Sequence, residues 1–143
     1  MEKIKKTVLV VEDELPLLKA AEAKLLINGF TVFTARSVED AKKILEKEGS
    51  VDAVWLDHYL LGKADGYDFS KYIRTQPSTK NIPIFLVTNT ASPEKIERYL
   101  LLGGIHYYMK SNFSLETITQ EINKIIESKT QQGTVTFSIE GLL

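Results

Sequence analysis

The sequence predicts an α/β protein, a doubly wound parallel sheet with helices on both faces, and three observations carry that prediction. Apolar runs of strand length alternate five times with helical patterns. The runs at 7–11, 51–56 and 82–87 are almost wholly apolar, as strands buried on both faces are. The length of 143 residues, with 43% hydrophobic and 26% charged residues, is that of one globular domain.

Each element has its own signal. The first strand is 7–11, and the helix after it covers 15–27. There Leu15, Leu18, Ala21, Leu25 and Leu26 recur at three- and four-residue spacing, with Pro16 confined to the first turn and Asn28-Gly29 as the stop. A shorter, partly alternating run at 30–34 makes a second strand. Ser37 to Asp40 resembles a capping box that opens a helix to about Glu48. After the strand at 51–56, a third helix runs from Gly66 to about Arg74 and ends before Pro77. The fourth strand, 82–87, is followed by a Ser92-Pro93-Glu94 helix start, and Gly103-Gly104 closes that helix. A strand at 105–109 and a helix from Ser114 to about Ser128 complete the alternation.

Composition removes several classes of function. With 18 basic and 19 acidic residues the net charge is −1, so no general cationic field exists to hold nucleic acid or an anionic membrane. No cysteine is present, which excludes disulfides, thiolate metal sites and cysteine nucleophiles. No apolar run reaches the roughly 18 residues of a membrane span, and acids follow the short apolar run near the start where a signal peptide needs small residues. The expectation is a cytoplasmic protein.

In a sheet of this kind ligands bind beyond the carboxyl ends of the strands. Those positions hold Glu12, Asp13 and Glu14 after the first strand, Asp57 after the third, Thr88-Asn89-Thr90 after the fourth, and Lys110-Ser111 after the fifth. Taken singly, each fits an ordinary solvated loop or helix cap. Gathered at one edge, the carboxylates repel unless they protonate or bind a cation, and Mg²⁺ suits oxygen ligands and phosphate. Asp57 is the candidate nucleophile, because an aspartate forms an acyl phosphate. Lys110 would pair with a phosphoryl oxygen and Thr88 would donate to another.

These pieces together resemble the receiver domain of two-component response regulators over about residues 5–128. The matching segments are VLVVEDE (8–14), the strand ending in Asp57 with Asp65-Gly66 after it, LVT (86–88) and GIHYYMK (104–110). The resemblance implies a five-stranded doubly wound sheet in the order 2-1-3-4-5 with five helices, a flavodoxin-like fold. It implies that Asp57 accepts a phosphoryl group from a histidine kinase or a histidine phosphotransfer domain. Asp13, Asp57 and the backbone carbonyl of Tyr59 would bind Mg²⁺, with Glu12 acting through water. Lys110 would contact the phosphoryl group, Thr88 would move toward it, and Tyr107 would swing inward as the switch aromatic. Thr88 and Lys110 would thereby gain partners they lack beforehand, and the readout would be a rearranged face directed at a downstream protein effector. No catalysis beyond self-phosphorylation and slow self-dephosphorylation is expected.

The sequence departs from the family pattern at several positions. Leu61 stands where a proline is common, and the stretch from Leu61 to Ala64 is one residue longer than usual, which Gly62 would absorb through positive φ. Ser111 replaces the proline that normally follows the lysine, so the Lys110–Ser111 bond is expected to be trans with a shifted loop, or a strained cis bond. Asn89 replaces a small residue and would narrow access to the phosphoryl pocket. Tyr59 and Thr90 flank the path of attacking water, and the bulk of Tyr59 is expected to prolong the phosphorylated state.

Residues 1–128 are read as the domain and 129–143 as a tail. Val135, Phe137 and Ile139 alternate with polar residues in the tail, as in a half-buried strand, a frayed end or a truncated linker. No helix-turn-helix segment lies outside the domain, so direct nucleic-acid binding is not expected. Homodimer formation stays open. The competing readings are a phosphate-independent interaction module and a flavin-binding electron carrier. The acids after the first strand would repel a flavin phosphate, and no GxxxxGK[ST] loop is present for nucleotide hydrolysis.

Overall fold

A computed structural model describes residues 4–89 and 92–132. Thr90 and the expected tail strand at 135–139 lie outside the described residues. Five strands, β1 (Thr7–Val11), β2 (Thr31–Ala35), β3 (Ala53–Leu56), β4 (Ile84–Val87) and β5 (Ile105–Tyr108), form one parallel sheet in the order β2-β1-β3-β4-β5. Helices α1 (Leu15–Ile27), α2 (Val38–Glu48), α3 (Gly66–Thr75), α4 (Pro93–Leu102) and α5 (Leu115–Gln132) connect and cover it. The expected fold class and strand order are the observed ones. No helix among the described residues is long and apolar enough to cross a membrane.

The strand period decides the two cores. Val8, Val10, Ala53, Trp55, Phe85, Val87 and Tyr108 point to the side covered by α1 and α5, where they meet Leu18, Leu25, Ile118 and Ile122. Leu9, Val11, Val54, Leu56, Ile84, Leu86 and Tyr107 point to the other side, against α2, α3 and α4 through Val38, Leu45, Phe69, Ile73, Ile96 and Tyr99. Both sets of β1, β3 and β4 are buried, which is why those runs read as continuous apolar stretches.

Several element bounds differ from the sequence reading. Strands β3 and β4 begin two residues late: the Asp52 carboxylate turns back to accept from Thr7 N–H (2.8 Å), and Pro83 has no N–H to give a ladder. In α1 only Leu18, Ala21 and Leu25 are buried, while Leu15 and Leu26 of the expected apolar face are exposed. Helix α5 continues to Gln132, past the expected end near Ser128. Ser37 caps α2 through Asp40 N–H, but the reciprocal capping box belongs to α3, where Asp65 and Asp68 each accept the other's backbone N–H (3.0 and 2.9 Å). The end of α3 is pinned by Arg74. Its guanidinium donates to the carbonyls of Ile82 (2.7 Å), Gly103 (2.8 Å) and Gly104 (3.0 Å), and burial lowers its pKa to about 10.

Candidate functional site

In the order β2-β1-β3-β4-β5 the sheet grows one way from β1 to β2 and the other way from β3 to β5, so the point where the strand order switches lies between the carboxyl ends of the neighbouring strands β1 and β3. Glu12 and Asp13 follow β1 directly, and Asp57 follows β3 in register with it, since Asp57 N–H donates to Val11 O (3.0 Å). One carboxylate oxygen from each of Glu12, Asp13 and Asp57 lies within 4.8 Å of the others. Glu12 and Asp57 are buried and Asp13 is partly exposed, so the cluster opens to solvent on the Asp13 side. Arg36, just after β2, reinforces that geometry by donating from both Nε (3.0 Å) and a terminal nitrogen (2.6 Å) to the Asp13 carbonyl.

Lys110 enters the cluster from the turn after β5. Its Nζ is 2.8 Å from Glu12 Oε1 and 3.2 Å from Asp57 Oδ2. The expectation that Lys110 lacks partners before phosphorylation is therefore corrected: it already bridges two carboxylates, because two buried acids require a nearby cation. Burial acts to lower the Lys110 pKa, but the two carboxylates outweigh it and hold the ammonium above its ordinary value. Glu12 moves the other way. Burial, helped by the Asp57 charge, raises its carboxyl to about 7 despite the hydrogen bonds from Lys110 and from Glu14 N–H. One lysine thus leaves the buried acids short of positive charge. A three-carboxylate oxygen set deficient in cation charge fits Mg²⁺, a hard ion that takes one or two carboxylates and keeps waters.

The remaining sequence candidates fall around this centre. Thr88 is buried after β4, its N–H donating to Tyr108 O (3.1 Å) and its carbonyl facing Lys110 N–H (3.4 Å). Tyr107 is already inside, 5% exposed on the α4 side of β5, and burial raises its phenol pKa. Tyr59 is 44% exposed; its ring edge meets His58 and its hydroxyl accepts from Lys95 Nζ (3.4 Å) on α4. Gly62 has φ of +89°, the conformation that the longer loop was expected to need. The Lys110–Ser111 bond is trans. Asn89, expected to narrow the pocket, is exposed and accepts from Ser111 N–H (2.8 Å).

Two residues that sequence reasoning missed join the site to α4. His58 N–H donates to Asp57 Oδ1 (2.8 Å), and His58 Nδ1 is 2.6 Å from the hydroxyl of Tyr99, a fully buried residue of α4. Burial keeps the His58 pKa below its ordinary value. The crossing of β3 into α3 is tight here. A Cβ on Gly66 would lie 2.6 Å from the Asp57 carbonyl and 2.7 Å from the Tyr99 hydroxyl, so only glycine fits. The position of His58, directly after Asp57 at a strand end, was the available signal. Its partner on α4 was not legible without the fold.

Comparison with known proteins points to one family. The model of the response regulator receiver domain matches residues 8–123. A probable transcriptional regulator, ycf27, of Cyanophora paradoxa is 30% identical over 141 residues, covering 99% of this chain and 56% of its own length. The phosphate regulon transcriptional regulatory protein PhoB of Escherichia coli is 30% identical over 119 residues, covering 83% of this chain and 51% of its own. The chain thus spans about half the length of these curated relatives. Among solved structures, a putative response regulator from Chloroflexus aurantiacus has a TM-score of 0.77 at 27% identity, covering 87% of this chain and 99% of its own. A CheY-like receiver domain protein from Methanospirillum hungatei shares the fold at a TM-score of 0.80 and 21% identity, covering 91% of this chain and 100% of its own. With the family model spanning most of the chain and the acids, threonine and lysine at the predicted strand ends, this chain belongs to the response regulator receiver domain family.

Proposed function

We propose that this domain takes a phosphoryl group onto Asp57 from a phosphohistidine donor and signals through a protein-interaction face. The observation that carries the reading is the Asp57 carboxylate, 4% exposed, held between His58 N–H on one oxygen and Lys110 Nζ on the other. In the transfer a carboxylate oxygen of Asp57 attacks phosphorus and forms the O–P bond. The P–N bond to the donor imidazole breaks, its electron pair stays on nitrogen, and that nitrogen takes a proton from solvent. Asp13, Asp57 and the Tyr59 carbonyl would hold Mg²⁺, with Glu12 reaching it through water, and the ion would supply charge neutralisation between phosphate and carboxylates.

Lys110 then exchanges a carboxylate contact for a phosphoryl oxygen, and Thr88 moves up to donate to another. A phosphoryl group adds about −1.5 to −2 of charge and three acceptor oxygens, enough to tip a two-state loop. Tyr107 and α4 follow on the output face. Partners of matching chemistry are a histidine kinase or phosphotransfer domain upstream and a protein effector downstream, in the cytoplasm.

The test is intact mass after incubation with acetyl phosphate and Mg²⁺, for the parent and for Asp57→Asn. One added phosphoryl group, absent in the variant and without Mg²⁺, is the expected result. No added mass from acetyl phosphate or from a phosphorylated histidine donor, with Mg²⁺ bound, would replace this reading by a phosphate-independent module. Tyr59 extends the test: at the position that flanks the path of attacking water in the family, its bulk would slow hydrolysis, so Tyr59→Asn should shorten the acyl-phosphate half-life, and an unchanged half-life removes that role.

A further inference from the structure

We infer that Asn89 is a positioning residue for Lys110, acting through a side-chain latch on the Ser111 amide; this rests on the phosphotransfer reading above. Lys110 has four rotatable side-chain bonds, so where its ammonium reaches depends on where its Cα is held. The β4–β5 ladder ends at Val87 and Tyr108. Beyond it Thr88 N–H still reaches Tyr108 O at 3.1 Å, but Lys110 N–H is 3.4 Å from Thr88 O, a long and weak bond. The short link at the height of Lys110 is Ser111 N–H to Asn89 Oδ1, 2.8 Å, which ties the loop after β4 to the turn after β5.

The geometry on the far side of Lys110 is closed by its own turn. Residues Lys110–Asn112 form a single 3-10 turn in which Asn112 N–H donates to Met109 O (3.0 Å). The latch and this turn hold the main chain from both sides, and Nζ then falls between Glu12 and Asp57. The chemistry also selects the amide orientation, because only Oδ1 of Asn89 can accept from an N–H. Serine in place of proline at 111 supplies that N–H, so the two departures from the family pattern at 89 and 111 form one device.

A purely steric role for Asn89 predicts the opposite sign. If its side chain only narrowed the phosphoryl pocket, Asn89→Ala would speed uptake from acetyl phosphate. As a latch, Asn89→Ala and the similarly sized Asn89→Leu should both slow uptake about 5- to 10-fold, the factor that follows from losing one ordinary hydrogen bond in positioning. Mg²⁺ affinity, read by Trp55 fluorescence, should stay within about twofold, since neither replacement touches the acids. Hydrogen exchange at the Ser111 amide should accelerate in both variants, and Asn89→Asp, which keeps the acceptor, should retain its protection.

Uptake in Asn89→Ala at or above the parent rate would overturn the latch. A second readout needs no phosphoryl transfer. The ¹⁵N resonance of the Lys110 ammonium should shift in Asn89→Ala and Asn89→Leu as Nζ leaves the two carboxylates. Faster Ser111 exchange with an unmoved Lys110 resonance would overturn the positioning role, even if the parent proved unable to take phosphate. That last result would count against the phosphotransfer reading and not against the latch.

Discussion

Glu12 provides the sharpest electrostatic test, because its shift has the opposite sign from that of a salt-bridged surface acid. Its carboxyl is raised from 4.5 to about 7 in the folded protein, chiefly by burial. A raised acid contributes stability that is fully present below its unfolded pKa and is lost as pH rises through its folded pKa. Without Mg²⁺, moving from about pH 5.5 to about pH 8 should cost about 2 kcal/mol through this group alone. His106 opposes it. This buried ring stacks on Phe85 (5.0 Å), and burial, with Arg74 nearby, lowers its pKa to about 4. A base lowered in this way costs about 1.4 kcal/mol at about pH 5.5 and almost nothing at about pH 8. Lys110 stays protonated throughout and adds no slope. The informative quantity is therefore the difference between the parent and Glu12→Gln, in which the histidine contribution cancels. Urea unfolding followed by Trp55 fluorescence, with chelator present, should show the parent losing about 2 kcal/mol more than the variant across that window. Parallel pH profiles in the two proteins would refute a raised Glu12. Repeating the series with Mg²⁺ should flatten the parent, since a bound cation favours the ionised carboxylate.

Other consequences follow from individual contacts. Gly66→Ala places a methyl 2.6 Å from the Asp57 carbonyl, and should cost about 3 kcal/mol in urea unfolding, the upper end for overpacking against backbone. A loss below about 0.5 kcal/mol would mean that the β3-to-α3 crossing yields to a methyl group. Tyr99→Phe removes the hydroxyl facing His58 Nδ1 and should cost about 1–3 kcal/mol, measured by the same unfolding transition. Arg74→Met leaves the carbonyls of Ile82, Gly103 and Gly104 without their donor and should lower stability by about 3 kcal/mol, while Mg²⁺ affinity measured at saturating folded protein is unchanged.

The strands that are easiest to read are those buried on both faces. Thr7–Val11 is legible in full because a short unbroken run of β-branched and apolar residues suits a buried strand and little else. In β3 and β4 the apolar signal starts before the strand does, since Val51 and Ile82 are packed against the cores while Asp52 and Pro83 keep them out of the ladder. The α1 face is narrower than its pattern for a different reason: periodicity marks positions that recur on one side, but only three of the five apolar residues meet α5 and the sheet.

In the site, the acids, Thr88 and Lys110 were legible because each lies within two residues of a strand's end, and parallel strands deliver their carboxyl ends to one edge. What the sequence by itself determined is this list of residues, the alternation that makes the sheet, and the shortage of positive charge among clustered acids. The tertiary structure alone decided who touches whom: that Lys110 already bridges Glu12 and Asp57, that His58 meets Tyr99, and that Asn89 holds Ser111 across 22 positions of sequence. These contacts depend on where side chains from different loops end at distances near 3 Å. Local propensity and periodicity place an element and its face, but they carry no information about that separation, which is set when the sheet closes and both cores pack.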